Sequence, residues 1–258
     1  SDKGTRGFPA VKNQPILKLM KKKFISDEEM VSFKKKNLVD ISSPNPSVET
    51  LVHAIIKEKF VDHTHSNAIL EITNRPDGNK LCKKLFGKNF IIIPYVMPGY
   101  LLAKKVHQMY KQNKNLHGLI LFRHGIFTFA ENSFDSYKRM IDTVNIAEKF
   151  LKKQKTKKLE KIKTGNLFLK PSMLAPVIKS FLGPNKNYIL NFRVNKQLLS
   201  SINNKKLEFF LNKGVVTPDH VIRTKPNPMI INFDRCKNLE DVKKTLDRKF
   251  IAYKKNYE

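Results

Sequence analysis

Two histidines separated by one residue, His63 and His65 in FVDHTHSNA, are the clearest sign of chemistry in this 258-residue chain. Side chains alternate in extended backbone, so an H-x-H pattern places both imidazoles on one face of a strand. A third histidine, His124 in FRHGIFTF, and a carboxylate, Glu49 in NPSVETLVHA, add further ligand types. Zinc binds His nitrogen and carboxylate oxygen at about 2.0–2.2 Å. The four residues therefore predict a divalent-metal site.

Local patterns predict the element that carries Glu49. The turn-forming segment SSPNPS at 42–47 precedes apolar residues spaced as on one side of a helix. We expect Ser47 to cap this helix, which runs to about Lys57 and holds Glu49 in its first turn. There the carboxylate would lie beside free backbone N–H groups and the positive end of the helix dipole.

The histidines fall on predicted strands. Residues 59–65 are predicted as a strand, and 117–130 as a strand pair or a long strand around Gly125. Asp62 is adjacent to His63 and therefore points to the opposite strand face, so we do not assign it as a ligand. His53, one helical turn from Glu49, is interpreted either as a partner of that carboxylate or as a packed core residue.

The remaining predicted elements surround this framework. The pair Ser26 and Glu29 matches an S-x-x-E capping box at a helix start, and Ser133 is expected to cap a long amphipathic helix. The other predicted elements are strands at 90–94 and 188–194, a short helix after 65, and helices at 99–112 and 170–182.

The formal net charge of +28 raises the question of nucleic-acid binding. Only eight of the 50 basic residues are Arg, and the Lys residues are spread along the chain. Sequence-reading proteins use Arg for bidentate contacts with guanine, and no Arg cluster is present. We therefore expect no specific nucleic-acid partner. The rival reading, a basic nucleic-acid binder, predicts binding that persists at moderate salt.

Composition favours a cytoplasmic protein. The longest apolar stretch, residues 90–103, is interrupted by Pro94, Pro98 and Gly99, so no membrane span is predicted. The N-terminal residues lack the apolar segment of a secretion signal. The two cysteines, Cys82 and Cys236, lie far apart in the sequence and match no zinc or redox spacing.

Taken in order, the motifs of the chain resemble those of class II, metal-dependent aldolases of the aldolase/adducin family. The similarity is greatest to the aldolase portion of bifunctional rhamnulose-phosphate aldolase/short-chain dehydrogenase proteins. The segments that carry the resemblance are GFPAV, SDEEMV, NPSVETLVHA, FVDHTHSNAILEITN, IPYVMPG, RHGIFTF, SYKRMID and TPDHVIRTKP.

The resemblance implies a role for each site residue. His63, His65 and His124 match the metal ligands of the family, and Glu49 matches its acid/base. Tyr95 in IPYVMPG matches a tyrosine that is delivered from the neighbouring subunit and protonates the aldehyde oxygen. Ser47 matches one of the serines that help to bind substrate phosphate.

The implied fold is a three-layer α/β/α arrangement around a mostly antiparallel sheet, with a C-terminal α/β extension. We expect an N-terminal segment at 1–24, an aldolase/adducin-like core at 25–155 and an extension packed on it at 156–258. The family's glycine-containing phosphate loop is not recognisable in SDKGTRGFPAV. No G-x-G-x-x-G follows a predicted strand, so no nicotinamide cofactor is expected.

Two functional hypotheses of different kinds follow. The first is a zinc-dependent, or other divalent-metal-dependent, aldolase that cleaves a ketose phosphate such as rhamnulose 1-phosphate. The resemblance implies that it is a homo-oligomer, as a tetramer. Because the dehydrogenase of the bifunctional proteins is missing, the chain is interpreted either as one piece of a split system, with a separate dehydrogenase as a partner, or as a truncated relative with altered activity. The second is a weakly active or inactive aldolase-fold module that serves interaction or assembly. His220, in a polar loop with Arg223 and Lys225, is read as part of a salt-bridged loop or as a phosphate contact.

Overall fold

The computed structural model describes residues 8–154, 160–161, 169–183, 187–217, 220 and 224–256. The chain divides into two compact units, Ser1–Lys155 and Thr156–Glu258. All four predicted metal ligands belong to the first unit, so its sheet and helices are the part of the fold that positions the candidate site.

A four-stranded sheet with the strand order β1-β4-β3-β2 forms the centre of the first unit. The β1–β4 and β3–β4 pairs are antiparallel, whereas β2 and β3 are parallel. The sheet is thus mostly antiparallel, and the predicted fold class is confirmed. Its strands are β1 at Phe60–Thr64, β2 at Phe90–Ile93, β3 at Gly118–Leu121 and β4 at Gly125–Ala130.

Helices cover both faces of this sheet. One layer shares a buried core with Leu119, Leu121, Phe127 and Phe129, and the other packs on Ile120 and Ile126. The first layer consists of α1 at Asn13–Leu19, α2 at Asp27–Lys36, α3 at Thr50–Ile55 and α6 at Tyr100–Lys111. The second consists of α4 at Asn67–Thr73, α5 at Gly78–Phe86 and α7 at Ser133–Lys152.

Helix starts follow the capping residues, with two corrections to the predictions. The capping box of Ser26 and Glu29 is confirmed, because each side chain bonds the other's backbone N–H. The long helix α7 is capped by Asn132 rather than Ser133, since the Asn132 side chain accepts from the Asp135 N–H. The amide side chain is a good cap and fixes the start one residue away from the predicted cap.

The helix that follows SSPNPS is shorter than predicted. Glu49 is its N-cap residue, α3 begins at Thr50, and it ends at Ile55. The Ser47 hydroxyl does not cap the helix, because it accepts from the nearby Glu49 N–H at 3.2 Å and closes a local turn instead. Glu49 consequently lies just before the helix rather than inside its first turn.

Four helices, long irregular segments and one isolated β-bridge, between Lys161 and Asn204, make up the described part of the second unit. Its helices are α8 at Pro171–Phe181, α9 at Lys196–Ile202, α10 at Leu207–Leu211 and α11 at Leu239–Lys255. Leu169, Val242 and Leu246 are the buried residues of its core. The predicted strand at 188–194 was wrong: these residues adopt no regular structure. They alternate apolar and polar residues in part, but they pair with no neighbouring strand.

Among the helices of the described ranges, none combines the length and the apolar character that a membrane span requires.

Candidate metal centre

Four side chains converge at one end of the sheet. One potential ligand atom from each of Glu49, His63, His65 and His124 lies within 4.8 Å of the others. Glu49 caps α3, His63 lies in β1, His65 follows β1 directly, and His124 precedes β4. Because β1 and β4 are antiparallel, the end of one strand meets the start of the other. Residues 75 positions apart are thereby brought into one cluster.

His63 has a fixed orientation. Its Nδ1 lies 2.9 Å from the Ile126 carbonyl oxygen, which can only accept a hydrogen bond, so Nδ1 carries the proton and Nε2 has the lone pair. A backbone carbonyl of this kind commonly orients metal-binding histidines. Burial lowers the pKa of His63 to about 4, so the ring is neutral near pH 7 and able to bind a cation.

The Nε2 atoms of His63 and His65 face each other at 3.1 Å. Two nitrogens bound to one zinc ion at tetrahedral angles lie about 3.3 Å apart, given Zn–N distances of about 2.0–2.1 Å. The observed separation is close to that value. The H-x-H pair therefore has the spacing that shared coordination of one ion requires.

His124 is only 2% exposed, and neither of its ring nitrogens has a hydrogen-bond partner within the described residues. Its Nε2 lies 3.3 Å from Oε1 of Glu49, but the contact lacks hydrogen-bond alignment. Buried polar atoms in folded proteins almost always have a partner. A cation among these four side chains would supply one, so the residues fit a bound divalent metal ion.

Glu49 is ionised. Burial raises the pKa of its carboxyl, but the contacts with His124 and Ser47 and the adjacent imidazoles outweigh burial and lower the pKa to about 2. The Ser47 hydroxyl donates a hydrogen bond to Oε2, which leaves Oε1 facing His124. The carboxylate is thus negative at neutral pH, as a metal ligand or a general base must be.

Gly125 permits the strand approach that brings the imidazoles together. A Cβ atom here would lie 2.6 Å from the Thr64 carbonyl oxygen and 2.9 Å from Cδ2 of His65. Either distance is shorter than a normal contact, so any side chain would push the end of β1 away. The glycine of RHG is required by close packing against the H-x-H segment.

The other sequence-predicted residues lie in different surroundings. Asp62 accepts a hydrogen bond of 2.5 Å from Ser136 of α7, so it faces the second helix layer as predicted and does not join the cluster. His53 is exposed and meets Phe127 edge-on, with ring centroids 5.3 Å apart. Tyr95 lies in the loop between β2 and α6 and is 54% exposed. Ser47 is also exposed.

The polar loop of the second unit is only partly described. His220 is exposed, and its Nδ1 lies 2.5 Å from the Thr217 hydroxyl. Arg223 lies outside the described residues. Both interpretations of this loop, as a salt-bridged loop or as a phosphate contact, therefore stay predictions.

Sequence reasoning missed the residues that hold the ligands. The Phe127 ring is stacked on His63, and the Ile126 carbonyl fixes its tautomer. The only available signal was the alternation of FTF in β4, which identifies Phe127 as core without indicating its partner. Cross-strand contacts depend on the register of two distant segments, and a single sequence does not specify that register.

Two family models match the chain. The model for the class II aldolase and adducin N-terminal domain covers residues 19–151, and the model for the second domain of class II aldolase covers residues 170–258. The first match spans just over half of the chain and includes all four clustered residues. The chain belongs to the class II aldolase and adducin family, as its motifs indicated.

The chain is also similar to individual proteins. The chain is 28% identical over 247 residues to "Uncharacterized oxidoreductase YuxG" of Bacillus subtilis, covering 93% of this chain but only 36% of that protein. It is 39% identical to the N-terminal class II aldolase domain of a conserved protein from Thermoplasma acidophilum, with a TM-score of 0.54 over 57% of this chain and 68% of that structure. A sugar-phosphate aldolase from Thermotoga maritima matches at 18% identity over 45% of this chain and 56% of that one, with a TM-score of 0.38, too low to carry an argument.

Family membership supports aldolase-type lyase chemistry. The cluster of one carboxylate and three imidazoles is a potential metal-binding group. These two findings are the basis of the proposal that follows.

Proposed function

We propose that this chain is a divalent-metal-dependent aldolase that cleaves a ketose phosphate, such as rhamnulose 1-phosphate, into dihydroxyacetone phosphate and an aldehyde such as lactaldehyde. The convergence of Glu49, His63, His65 and His124 on one point is the observation that carries the proposal. Zinc is the proposed ion, and other divalent cations suit the same donors. In this proposal residues 25–155 form the catalytic core and 156–258 an extension of it.

The chemistry divides among the clustered side chains. A divalent cation, when bound, supplies Lewis acidity to a ligated carbonyl oxygen. His63, His65 and His124 would hold that cation through imidazole nitrogens. Aldol cleavage removes a proton from a hydroxyl group, breaks a carbon–carbon bond and returns a proton to the freed carbon. Glu49 is ionised and lies beside the imidazoles, so it can take the proton from that carbon and, once protonated, return it.

Tyr95 is proposed to act on the other product. Its phenol would protonate the aldehyde oxygen in the condensing direction and accept that proton in cleavage. We assign it to the site of a neighbouring protomer, within a homo-oligomer that is proposed to be a tetramer. Its 54% exposure in the single chain supports a role beyond its own protomer.

Substrate phosphate and further partners complete the proposal. The exposed Ser47 hydroxyl lies beside Glu49 and is proposed to bind phosphate. The chain spans about a third of the length of its relative YuxG, whose name is that of an oxidoreductase. We further propose a separately encoded dehydrogenase as a partner of the aldolase, and we place both in the cytoplasm.

Metal analysis of the purified protein with a turnover assay tests the proposal. We expect one zinc or other divalent ion per chain, release of dihydroxyacetone phosphate from rhamnulose 1-phosphate, and loss of both in His63→Ala. The matched control is His107→Ala on α6, which keeps metal and turnover. Bound metal without cleavage of any ketose phosphate would favour the non-catalytic module, and absence of metal would refute the metal centre itself.

A further inference from the structure

Lys34 is a buried lysine, although lysine side chains are usually exposed. It lies on α2, is 1% exposed, and is one of the largest fully buried side chains among the described residues. Lysines are almost never fully buried unless their ammonium groups are paired, since removing the charge from water is costly. Met30, one turn earlier, is also buried, so Lys34 occupies a position on the core-facing side of the helix.

Its ammonium group is bonded to the turn that carries Glu49. Nζ donates to the carbonyl oxygens of Ser47 at 2.9 Å and Pro46 at 3.2 Å. The same Ser47 oxygen accepts from the Thr50 N–H at 3.2 Å and from the Thr50 hydroxyl at 2.7 Å. One carbonyl oxygen therefore joins α2, the turn and the start of α3.

The turn held in this way supplies two groups of the site. The Ser47 hydroxyl donates to Oε2 of Glu49, and Oε1 lies 3.3 Å from Nε2 of His124. A continuous chain of polar contacts thus runs from Lys34 through the Ser47 backbone and side chain to Glu49. Rotation of the Ser47 peptide would displace both the hydroxyl and the carboxylate.

We propose that Lys34 is a positioning residue that locks the Pro46–Thr50 turn, so that the Glu49 carboxylate faces the three imidazoles. It reaches the site only through the turn and is not a catalytic residue. An apolar side chain of equal length would fill the same space, but it could not donate to the two carbonyls. The part of the proposal that concerns metal affinity rests on the proposed function, whereas the ordering of the turn does not.

Hydrogen exchange of the metal-free protein tests the ordering directly. In Lys34→Met we expect the Thr50 amide, which donates to Ser47, to exchange at least about tenfold faster than in the wild type, because its acceptor is no longer fixed. Lys35→Met, an exposed neighbour, is the control for loss of charge. Met30→Ala is the control for a packing defect in the same helix face. In both control variants, the ratio between the exchange rate of the Thr50 amide and the rate set by global unfolding should equal that of the wild type.

Lys34→Met is expected to fold, because the Ser47 carbonyl retains two donors from Thr50 and the methionine fits an apolar core. If it does not fold, Lys34→Leu, which is apolar and likewise cannot donate to the two carbonyls, is measured in the same way. Wild-type exchange at Thr50 in a folded variant would overturn the proposal, whichever variant is used.

Cobalt binding then tests whether the turn serves the metal centre. We expect Lys34→Met to weaken Co²⁺ affinity about tenfold and to change its visible spectrum, as loss of an outer partner does. In a Glu49→Gln background the same substitution should have no further effect, because the contact chain ends at Glu49. An equal loss in both backgrounds, or unchanged affinity, would contradict the link. If the wild type binds no Co²⁺, the proposed function fails and the exchange result alone decides the role of Lys34.

Discussion

The Phe127 ring lies flat against the imidazole of His63, with centroids 4.0 Å apart and 14° between the planes. The two residues are directly opposite each other in the β1–β4 register. The imidazole is held by the Ile126 carbonyl at its Nδ1 edge and by an aromatic face on one side. The imidazole can therefore rotate very little, so the position of its Nε2 is fixed before any ligand binds.

Replacement of this aromatic face should weaken metal binding. We expect Phe127→Leu to lower divalent-ion affinity about tenfold, because His63 gains rotational freedom. The matched control is Phe129→Leu, which removes an equally buried ring from the same core. Both variants should lose about 0.5–3 kcal/mol of unfolding free energy. Cobalt titration and urea unfolding separate the two effects, and equal affinity losses would argue against a specific role for Phe127.

Asp62 should matter for stability alone. Asp62→Asn replaces the carboxylate that accepts from Ser136 with a neutral amide oxygen. We expect a loss of about 1 kcal/mol, since hydrogen bonds to charged groups are the stronger ones. Metal content should be unchanged, because this side chain faces α7. A chemical-denaturation curve and metal analysis check both parts. Loss of metal in a folded Asp62→Asn protein would show that the face assignment is incorrect.

Tyr95 offers a test of a site shared between protomers. Tyr95→Phe and His63→Ala should each be inactive in aldol cleavage. After the two are mixed and reassembled, about a quarter of the sites in a randomly mixed oligomer would combine an intact His63 with an intact neighbouring Tyr95. We therefore expect activity to return to that level. No recovery in mixed oligomers, verified by mass spectrometry, would place Tyr95 in its own chain's site or outside catalysis.

The two thiols should differ in reactivity. Burial raises the pKa of Cys82 to about 11, whereas Cys236 is half-buried in the other unit. At pH 8 we expect iodoacetamide to alkylate Cys236 and to reach Cys82 only after unfolding in urea. Peptide mass spectrometry measures both sites, with Cys236→Ser as the control. Modification of Cys82 in the folded protein at the rate of Cys236 would be inconsistent with its burial.

The raised pKa of Cys82 also predicts how the free energy of unfolding changes with pH. Its folded-state pKa of about 11 lies above the ordinary value of about 8.5 for an unfolded chain. The stabilising contribution is therefore present below pH about 8.5 and is lost as the pH rises toward 11. In Cys82→Ala, the free energy of unfolding should therefore fall less as the pH rises through this range.

Local chemistry explains why much of the site could be predicted. The H-x-H alternation depends only on strand geometry, and β1 spans Phe60–Thr64 within the predicted 59–65. The RHG segment lies between β3 and β4, where the strand pair around Gly125 was expected. The capping box at Ser26 depends on residues three apart and formed as expected.

Predictions were less accurate where distant residues decide the local conformation. The helix after SSPNPS starts at Thr50 and not directly after Ser47. The turn that precedes it is hydrogen-bonded to Lys34 on another helix. The helical spacing of Met30 and Lys34 indicated that both lie on the buried face of the helix. A lysine, however, is expected at the surface because of its residue type. The segment 188–194 has strand-forming residues yet forms no pair, because β-structure needs a partner that composition does not supply.

The alternation of side chains along β1 means that the number of residues in this strand cannot change without moving the ligands. His63 and Asp62 face opposite layers only because they occupy consecutive positions in one register with β4. One residue inserted or deleted within this strand would exchange the two directions and turn a carboxylate toward His124. Homologues that retain the centre should accordingly vary in the identity of their residues along this strand, while insertions and deletions should fall outside it.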